Sequence, residues 1–465
     1  MKKQIKLNGF TQNSVAPHSP GLWRYPGDQG YRHGDIDYWV ELAQLLEHGK
    51  FDALFLADVL GIYDVYQDSY KSAVKTGAQV PLHDKLLQIS AMAAATDHLG
   101  FAPTHSATYI QPYELARQFS TLDHLTKGRV AWNIVTSYLT SEAINLGLEN
   151  QIAHDTRYER AEEYMDVVYK LWEYSWDENA IIANKKTGVY ADAEKVHPIE
   201  HKGEYFSVPG VHLVEPSPQR TPVLFQAGAS MRGRDFAAKH AEAVFTNIQN
   251  SVSELQAFTS DLRERTKKFG RNPEDIKIFP AITPIVGATE AEAWEKYEEL
   301  TSYLSYEGTI TLLSGHTGVD FSQYDPEDYV ENIETDAARG FLQKYTTAST
   351  DKKWTVREAV LHHGLGIGAS KIIGTPEQIA DELETMANEG DADGFNIIQA
   401  TSPGTFADFI DFDHVVPVLQ ARGSYRTEYE ASTLRENLFG KGTVRLPENH
   451  PARSVSVTSK QAINQ

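Results

Sequence analysis

The sequence predicts an α/β fold, and within that class a closed (β/α)8 barrel of the TIM type that carries insertions. Three observations lead to this prediction: short apolar runs alternate with stretches of helical periodicity, eight such runs occur, and no GxGxxG turn follows an early run. An open, doubly wound sheet would place that glycine-rich turn after its first strands. The turn after the second run reads VLGIYD instead, and a count of eight favours the closed barrel.

The elements are expected in the following order. Strands are predicted at 5–10, 51–58, 101–109, 130–137, 222–230, 242–249, 277–288 and 393–401. Helices are predicted at 37–50, 86–100, 113–129, 231–240, 252–269, 289–304 and 375–389. In the first helix, Trp39, Leu42 and Leu46 fall on one face, as a buried stripe requires. Gly100 is interpreted as the stop of the second helix.

One barrel domain is expected over residues 1–440, with two long interruptions. The first insertion covers about 138–221, and the second covers about 302–371. Because loops of this length are usually lids or binding elements, the second insertion is the candidate lid. Residues 441–465 are polar and are expected to form a loosely held tail.

Composition excludes several classes of protein. The 465 residues carry a formal net charge of -21, which disfavours nucleic acid and anionic membrane surfaces as partners. There is no cysteine, so disulfides, thiolate metal sites and cysteine nucleophiles are excluded. The N-terminus MKKQIKLNGFTQNS lacks the apolar run of a signal peptide, and no long apolar stretch predicts a membrane helix. We therefore expect a cytoplasmic protein and, since large barrel proteins often associate, a homo-oligomer.

The predicted strand ends are rich in hydroxyl and amide side chains. In a barrel, active residues lie at these C-terminal ends. The single acidic side chain among them is Asp58, whereas a glycosidase requires two opposed carboxylates. No HExxH or comparable metal spacing occurs, so no metal site is expected, and no GxSxG elbow occurs. This polar ring suggests that a cofactor performs the chemistry.

The turn QAGASMRGR (226–234) is the strongest local signal. Gly228 permits close approach of the backbone, and Ser230 is suited to cap the helix that follows. The free N–H groups of that helix start, with Arg232 or Arg234 nearby, suit a phosphate. The alternative is an ordinary strand–helix turn with a serine cap.

Two further strand-end residues could have a purely structural role instead of a role in the site. Asp58 is consistent with an N-cap for the next helix. His105 is flanked by hydroxyl residues and is a candidate catalytic group for proton transfer, or else a packed, hydrogen-bonded histidine.

The stretch HDTRYERAEEY (154–164) opens an amphipathic helix with an unusually crowded start. Thr156 and Glu159 match the capping box S/T-x-x-E, which explains the helix start. The box leaves His154, Arg157 and Tyr158 unexplained. In the barrel scheme this helix start lies on the same face as QAGAS, so the two starts are placed to hold one phosphate together.

Several ordered motifs resemble those of the bacterial luciferase-like flavin monooxygenases. They are GKFDALFLAD, RQFSTLDHLTKGRVAWNIVTS, HDTRYERAEEY, SPQRTPVLFQAGAS and VVPVLQARGSYRTEY. With SPGLWRYPG near the N-terminus, the sequence most resembles the branch of nitrilotriacetate, dibenzothiophene-sulfone and dimethyl-sulfide monooxygenases. The resemblance extends from about residue 4 to about residue 440.

The resemblance implies a luciferase-like (β/α)8 barrel that uses FMN as FMNH2, supplied by a separate NAD(P)H:flavin reductase. Oxygen would add at the flavin C4a position, and the peroxyflavin would oxygenate a small organosulfur or amine-type substrate. The matched motifs place these residues at the flavin: Asp58 and Thr104 beside the isoalloxazine, Asn133 and Ser137 nearby, His154 and Tyr158 along the site, and Gly228, Ala229 and Ser230 at the phosphate. His154 is, with His105, a candidate catalytic residue.

Other functions remain open at this stage. A related barrel oxidoreductase would use a deazaflavin for hydride transfer without oxygen. A non-catalytic relative would bind flavin without oxygen consumption. An enzyme that degrades flavin is a further, minor alternative.

Overall fold

The computed structural model describes residues 3–228, 230–247, 251–332, 345, 352–411 and 413–455. The strands are β1 (Lys6–Gln12), β2 (Ala53–Ala57), β3 (Gly100–Ser106), β4 (Ala131–Val135), β5 (Ile181–Asn184), β6 (Val189–Ala191), β7 (His201–Lys202), β8 (Ser207–Val208), β9 (Val223–Gln226), β10 (Ala243–Thr246), β11 (Lys277–Val286), β12 (Ser370–Gly374) and β13 (Gly394–Ile398). The helices are α1 (Ile36–His48), α2 (Lys71–Thr76), α3 (Ile89–Ala94), α4 (Pro112–Leu125), α5 (Thr140–Asn145), α6 (His154–Tyr169), α7 (Met231–His240), α8 (Val252–Lys268), α9 (Glu290–Ser302), α10 (Tyr306–Thr317), α11 (Val356–Gly364), α12 (Pro376–Asn388), α13 (Gly404–Ile410), α14 (Val415–Ala421) and α15 (Leu434–Phe439).

Eight parallel strands close into a barrel, which confirms the predicted fold. The order around the barrel is β1, β2, β3, β4, β9, β10, β11 and β13, and β13 pairs with β1 again. Strand β11 is long enough to pair with β10 through Lys277–Pro280 and with β12 through Ile282–Val286. Its residue Ile282 pairs with Ile397 of β13 and also with Ser370 of β12, which extends the sheet outside the closed ring.

Side chains along each barrel strand alternate between the interior and the helical layer, as the period of two requires. In β3, Phe101 belongs to the large cluster under the helices, whereas Ala102 belongs to the interior cluster with Phe55 and Phe225. By the same alternation Thr104 is directed into the barrel and His105 is directed toward the helices. Strand geometry therefore decides which polar residues reach the mouth of the barrel.

Two elements differ from the sequence-based expectation. Strand β12 was not predicted, because it lies within and just beyond the stretch assigned to the second insertion. The helix predicted at 86–100 is the short α3, and Gly100 is the first residue of β3 rather than a helix stop. A Cβ atom on Gly100 would lie 2.7 Å from the Leu434 side chain and 2.8 Å from the Asp52 carbonyl oxygen, so this glycine serves close packing.

The insertions and the C-terminal segment surround the barrel. Residues 138–221 contain α5, α6 and the two small hairpins β5–β6 and β7–β8. Residues 302–371 contain α10 and α11, whose apolar faces share one cluster, and residues 333–344 and 346–351 lie outside the described residues. The polar tail is described as far as residue 455; there His450 and Ala452 are fully buried, so this part is packed rather than loosely held. Within the described chain no helix is long and apolar enough to cross a bilayer.

A buried ion pair joins α15 to the N-terminal end of the barrel. Arg435 donates to the Glu242 carboxylate at 2.7 and 3.0 Å and to the Thr221 carbonyl oxygen at 2.9 Å. The two side chains are 1% and 2% exposed. Glu242 also accepts the Leu224 N–H at 3.0 Å, so the pair ties α15 to β9 and β10.

Replacing Arg435 tests how much this pair holds the barrel together. Arg435→Ala leaves the Glu242 carboxylate buried without its cation, which should lower the free energy of unfolding by about 3–5 kcal/mol. Lys267→Ala breaks an exposed pair with Glu264, whose side chains are 55% and 63% exposed, and should change stability by about 1 kcal/mol or less. Urea unfolding followed by circular dichroism measures both, and equal effects would contradict this interpretation.

Candidate active site

Two adjoining cavities lie at the C-terminal mouth of the barrel. The first, which we call the mouth cavity, has a volume of about 260 Å³ and reaches the aromatic interior of the barrel. The second, which we call the flank cavity, has a volume of about 330 Å³ and extends to the start of α6. The cavities adjoin each other and share wall residues. These are Asp58, Val59, Thr104, Val135, Tyr138 and Ala227.

Asp58 lies at the junction of the cavities and is held by a lysine. Lys85 Nζ is 2.5 Å from Asp58 Oδ2, and the two side chains are 5% and 7% exposed. Burial raises the pKa of Asp58, and the neighbouring ammonium of Lys85 opposes that rise. The alternative role as a helix N-cap is wrong, because the next helical turn begins only at Tyr66.

Hydroxyl and amide groups line the adjoining walls of the two cavities, with Asn133 on the mouth cavity and Ser106 and Ser137 on the flank cavity. Asn133 Nδ2 donates to Thr104 Oγ1 at 2.8 Å, while Asn133 Oδ1 is buried without a partner among the described residues. Ser106 Oγ and Ser137 Oγ are 2.8 Å apart, and Ser137 donates to Glu142 Oε1 at 2.7 Å. Ser137 has φ +60°, an unfavourable conformation for a residue with a side chain, and such strain is concentrated at functional sites.

Glu142 is a titratable group that the sequence reading did not single out. Its side chain is 2% exposed and lines the flank cavity. Burial raises the pKa of Glu142 to about 7; Asp58 adds to the rise, and hydrogen bonds from Ser137 and the Leu60 N–H oppose it. This carboxyl group therefore changes its charge near neutral pH.

The start of α6 differs from the capping-box prediction. The helix begins at His154, its N-cap is Ala153, and no side chain caps it, so Thr156 lies inside the first turn. His154 Nδ1 is 2.8 Å from Asp155 Oδ1, and its ring lies 5.2 Å from that of Tyr158. Both His154 and Tyr158 line the flank cavity.

The start of α7 faces the start of α6. Ser230 is the N-cap of α7 and accepts the Gly233 N–H at 3.0 Å, as the sequence predicted. The Tyr158 hydroxyl is hydrogen-bonded to the Ser230 side chain; burial raises the pKa of Tyr158, and this bond opposes the rise. A Cβ atom on Gly228 would lie 2.9 Å from Gly233 Cα, so the turn requires glycine. Ala229 lies outside the described residues.

His105 is not brought to either cavity. It follows Thr104 in β3 and is therefore directed toward the helices, where its ring lies 6.0 Å from that of Phe119. Burial lowers the pKa of His105 to about 3. The position supports the packing interpretation, and the candidate catalytic role of His105 is not supported.

Four aromatic side chains form a polar arc on the mouth cavity that the sequence reading missed. Tyr63 Oη lies 2.6 Å from Tyr138 Oη and 3.1 Å from His316 Nε2. His18 completes the arc, and burial lowers the pKa of His18 to about 3 and that of His316 to about 4. These residues come from four distant segments, so only the folded chain brings them together.

Comparison with known proteins identifies the family. Residues 10–393 match the family described as luciferase-like monooxygenase. The chain belongs to this family. No group of three or more potential metal ligands occurs in the part of the chain that the structure describes.

Three similar proteins are named monooxygenases. The chain is 51% identical to the long-chain alkane monooxygenase of Geobacillus thermodenitrificans, over 97% of this chain and 98% of that protein. It is 48% identical to the dimethyl-sulfide monooxygenase of Hyphomicrobium sulfonivorans, over 97% and 94%. Identity to nitrilotriacetate monooxygenase component A of Aminobacter aminovorans is 39%, over 97% and 99%. The predicted branch is confirmed, and the protein is a flavin-dependent monooxygenase.

A solved structure supports the fold and links it to flavin. The crystal structure of a riboflavin lyase with modified FMN and riboflavin superposes with a TM-score of 0.89 at 34% identity, covering 97% of this chain and 99% of that chain. Because the superposition covers nearly the whole of both chains, the similarity is not limited to the barrel strands.

The pKa of Glu142 gives a stability prediction. The folded protein holds this proton more tightly than the unfolded chain, so the contribution of Glu142 to stability is complete below pH 4.5 and is lost as pH rises to about 7. Glu142→Gln removes this dependence. The free energy of unfolding of the variant minus that of wild type should therefore increase by about 3 kcal/mol between pH 4 and pH 8. Urea unfolding across this range measures the difference, and parallel pH profiles would refute the assignment.

Proposed function

We propose that this protein is the oxygenase of a two-component system. It receives FMNH2 from a separate NAD(P)H:flavin reductase and uses O2 to oxygenate a small, uncharged organic substrate. The observation that carries the proposal is the position of the flank cavity, which extends to the start of α6 opposite the start of α7 and adjoins a mouth cavity that has an aromatic floor. The name of one relative, a component A, supports a second protein component.

The starts of α6 and α7 fit the phosphate of FMN. The free N–H groups and the dipole at the start of the ten-residue α7 favour an anion. Ser230 and Tyr158 would donate their hydroxyl hydrogens to the phosphate oxygens. Arg232 lies close enough to affect the pKa of Tyr158, and the buried Arg157 lines the same cavity, so two cations accompany the site. We include Gly228 and Ala229 in this turn as the backbone part of the proposed phosphate site.

The remainder of the flank cavity fits a flavin ring. Gln226 Oε1 in the flank cavity and Asn133 Oδ1 in the adjoining mouth cavity are buried acceptors without partners among the described residues, and a flavin ring offers N–H groups. We propose that Asp58, Thr104 and Ser137 bound the ring, and that His154 contacts the flavin near its phosphate end. FMNH2 would supply the two electrons needed to insert one oxygen atom of O2 into the substrate and reduce the other to water.

The mouth cavity favours an uncharged substrate. Phe10 stacks on Phe55 and on Phe245 with ring centroids 4.8 and 5.0 Å apart, and the His18 and His316 imidazoles are neutral at pH 7. Among the described residues that line this cavity there is no lysine or arginine. An aminopolycarboxylate would therefore lose its hydration without gaining a cation, which is very costly. A protonated amine would meet Asp58, whose charge Lys85 already neutralises.

We therefore narrow the expected organosulfur or amine-type substrate to uncharged molecules. A thioether sulfur is polarisable and packs favourably on aromatic rings such as those of the cavity floor. The named substrates of two relatives, dimethyl sulfide and long-chain alkanes, belong to the uncharged class. The alkane relative extends that class to hydrocarbons.

The second insertion is proposed as the lid. It contributes His316, Gly366 and Ile367 to the wall of the mouth cavity. A covering element is required because water and stray protons would divert the reducing equivalents from the substrate.

Oxygen consumption with defined substrates tests the function. The protein, FMN, NADH and a flavin reductase should convert dimethyl sulfide or an n-alkane to an oxygenated product, with one product molecule per O2 consumed. Nitrilotriacetate should give no product. Product formation without oxygen would contradict the proposal and favour deazaflavin-type hydride transfer. Net loss of the flavin ring would instead indicate a flavin-degrading enzyme.

Binding of FMNH2 tests the phosphate site. Ser230→Ala and Tyr158→Phe should each weaken anaerobic FMNH2 binding by about 10- to 150-fold, because each loses a hydrogen bond to a charged group worth about 1.5–3 kcal/mol. Matched controls are Ser251→Ala, which removes the N-cap of α8, and Tyr164→Phe, which removes a buried hydroxyl of α6 outside both cavities. Anaerobic fluorescence titration measures the dissociation constants. Wild-type affinity in both site variants would reject the phosphate assignment.

A further inference from the structure

The flank cavity contains one carboxyl group that no cation neutralises directly. Asp58 is in contact with Lys85, whereas Glu142 accepts from the Ser137 hydroxyl and, through Ser137, is linked to Ser106. All of these residues line the cavity in which we propose that the flavin ring lies. A ligand that fills the cavity therefore displaces water from a wall that includes the buried Glu142.

The charged and titratable groups around Glu142 come from several elements. They are Asp58 and Tyr63 after β2, Lys85 before α3, Tyr109 after β3, Tyr138 after β4 and Arg157 on α6. Burial raises the pKa of Tyr63, Tyr109 and Tyr138, so these phenols are neutral near pH 7 and add no charge. Lys85 forms its ion pair with Asp58. Arg157 donates to the Ile152 carbonyl oxygen at 3.1 Å and is a more distant cation for Glu142.

We propose that Glu142 is the proton-binding residue of the flavin cavity: it takes up a proton from solvent when the flavin ring enters and returns it when the flavin leaves. This inference rests on the proposed flavin site. The physical reason is that the ring replaces water around the carboxyl group and that the reduced cofactor is anionic, and both effects favour the neutral acid. Flavin affinity and proton uptake are then linked.

The geometry allows the neutral acid to stay hydrogen-bonded. Ser137 continues to donate to Oε1, so protonation leaves that oxygen with its partner. The added proton gives Glu142 a donor in a cavity whose wall also includes Gln226, and Gln226 Oε1 has no partner among the described residues. The proposed change therefore adds a hydrogen-bond donor without breaking the contact that the structure has.

The affinity for FMNH2 should depend on pH because Glu142 must be protonated in the complex. Burial already raises the pKa of Glu142 to about 7 before a ligand enters. Below that pH the protein is ready to bind, and above it each binding event requires a proton from solvent. The affinity for FMNH2 should therefore decrease as pH rises from 7 to 8.5.

The test is anaerobic titration of FMNH2 between pH 6 and pH 8.5 with wild type, Glu142→Gln and Glu149→Gln. Ionisation of FMNH2 itself is common to all three proteins and cancels in ratios. The dissociation constant of wild type relative to Glu142→Gln should increase by at least about fivefold over this range. Glu149→Gln, which removes the same charge from an exposed loop, should follow wild type.

The outcomes separate this inference from the function on which it rests. A ratio that does not change with pH overturns the role of Glu142 while leaving the flavin site intact. Absence of FMNH2 binding by wild type at every pH contradicts the proposed function instead. If Glu142→Gln does not fold, wild type with oxidised riboflavin decides, because this ligand has no phosphate and stays uncharged over the range. Its affinity should fall as pH rises, and a constant affinity would overturn the inference.

Discussion

The alternation of side chains along closed, parallel barrel strands is the constraint on which the site depends. In β3 it turns Ala102 and Thr104 inward and Phe101 and His105 outward. Because both faces of each strand are buried, a shift of one residue would exchange these sets and destroy both layers of the core. The packing of the core thus fixes which polar groups surround the mouth, and the loops after the strands add to that ring.

The overall charge of the protein says little about its site. A chain with a formal net charge of -21 has, in the proposed scheme, a cavity that accepts an anionic cofactor. Local pairing makes this consistent: Lys85 neutralises Asp58, and Arg157 and Arg232 lie toward the opposed helix starts. Glu142 has no cation in direct contact among the described residues, and we propose that a proton neutralises it instead. In the mouth cavity the histidines are neutral, because burial lowers the pKa of their imidazoles.

Much of the fold was predictable because apolar runs and helical periods are local signals. All eight barrel strands were located, whereas β12 was missed because its short run resembles a loop between an insertion and a helix. The strand-end residues Asp58, Thr104 and Asn133 were found by the same logic. Lys85, Glu142 and His316 were not, since they reach the cavities from a loop and from helices of the insertions, whose positions only tertiary packing decides. The capping box at Thr156 was wrong because α6 begins at His154, three residues before the start that the box predicts, and Thr156 therefore lies inside the first turn.

The central claim is that the two opposed helix starts hold the phosphate of a flavin whose ring faces the apolar mouth cavity. A crystal structure of the protein with FMN tests it most directly. We expect phosphate oxygens within hydrogen-bonding distance of the Ser230 and Tyr158 hydroxyls, with the ring between Asp58 and Asn133. A phosphate bound away from the start of α7, or a ring outside the flank cavity, would contradict the account.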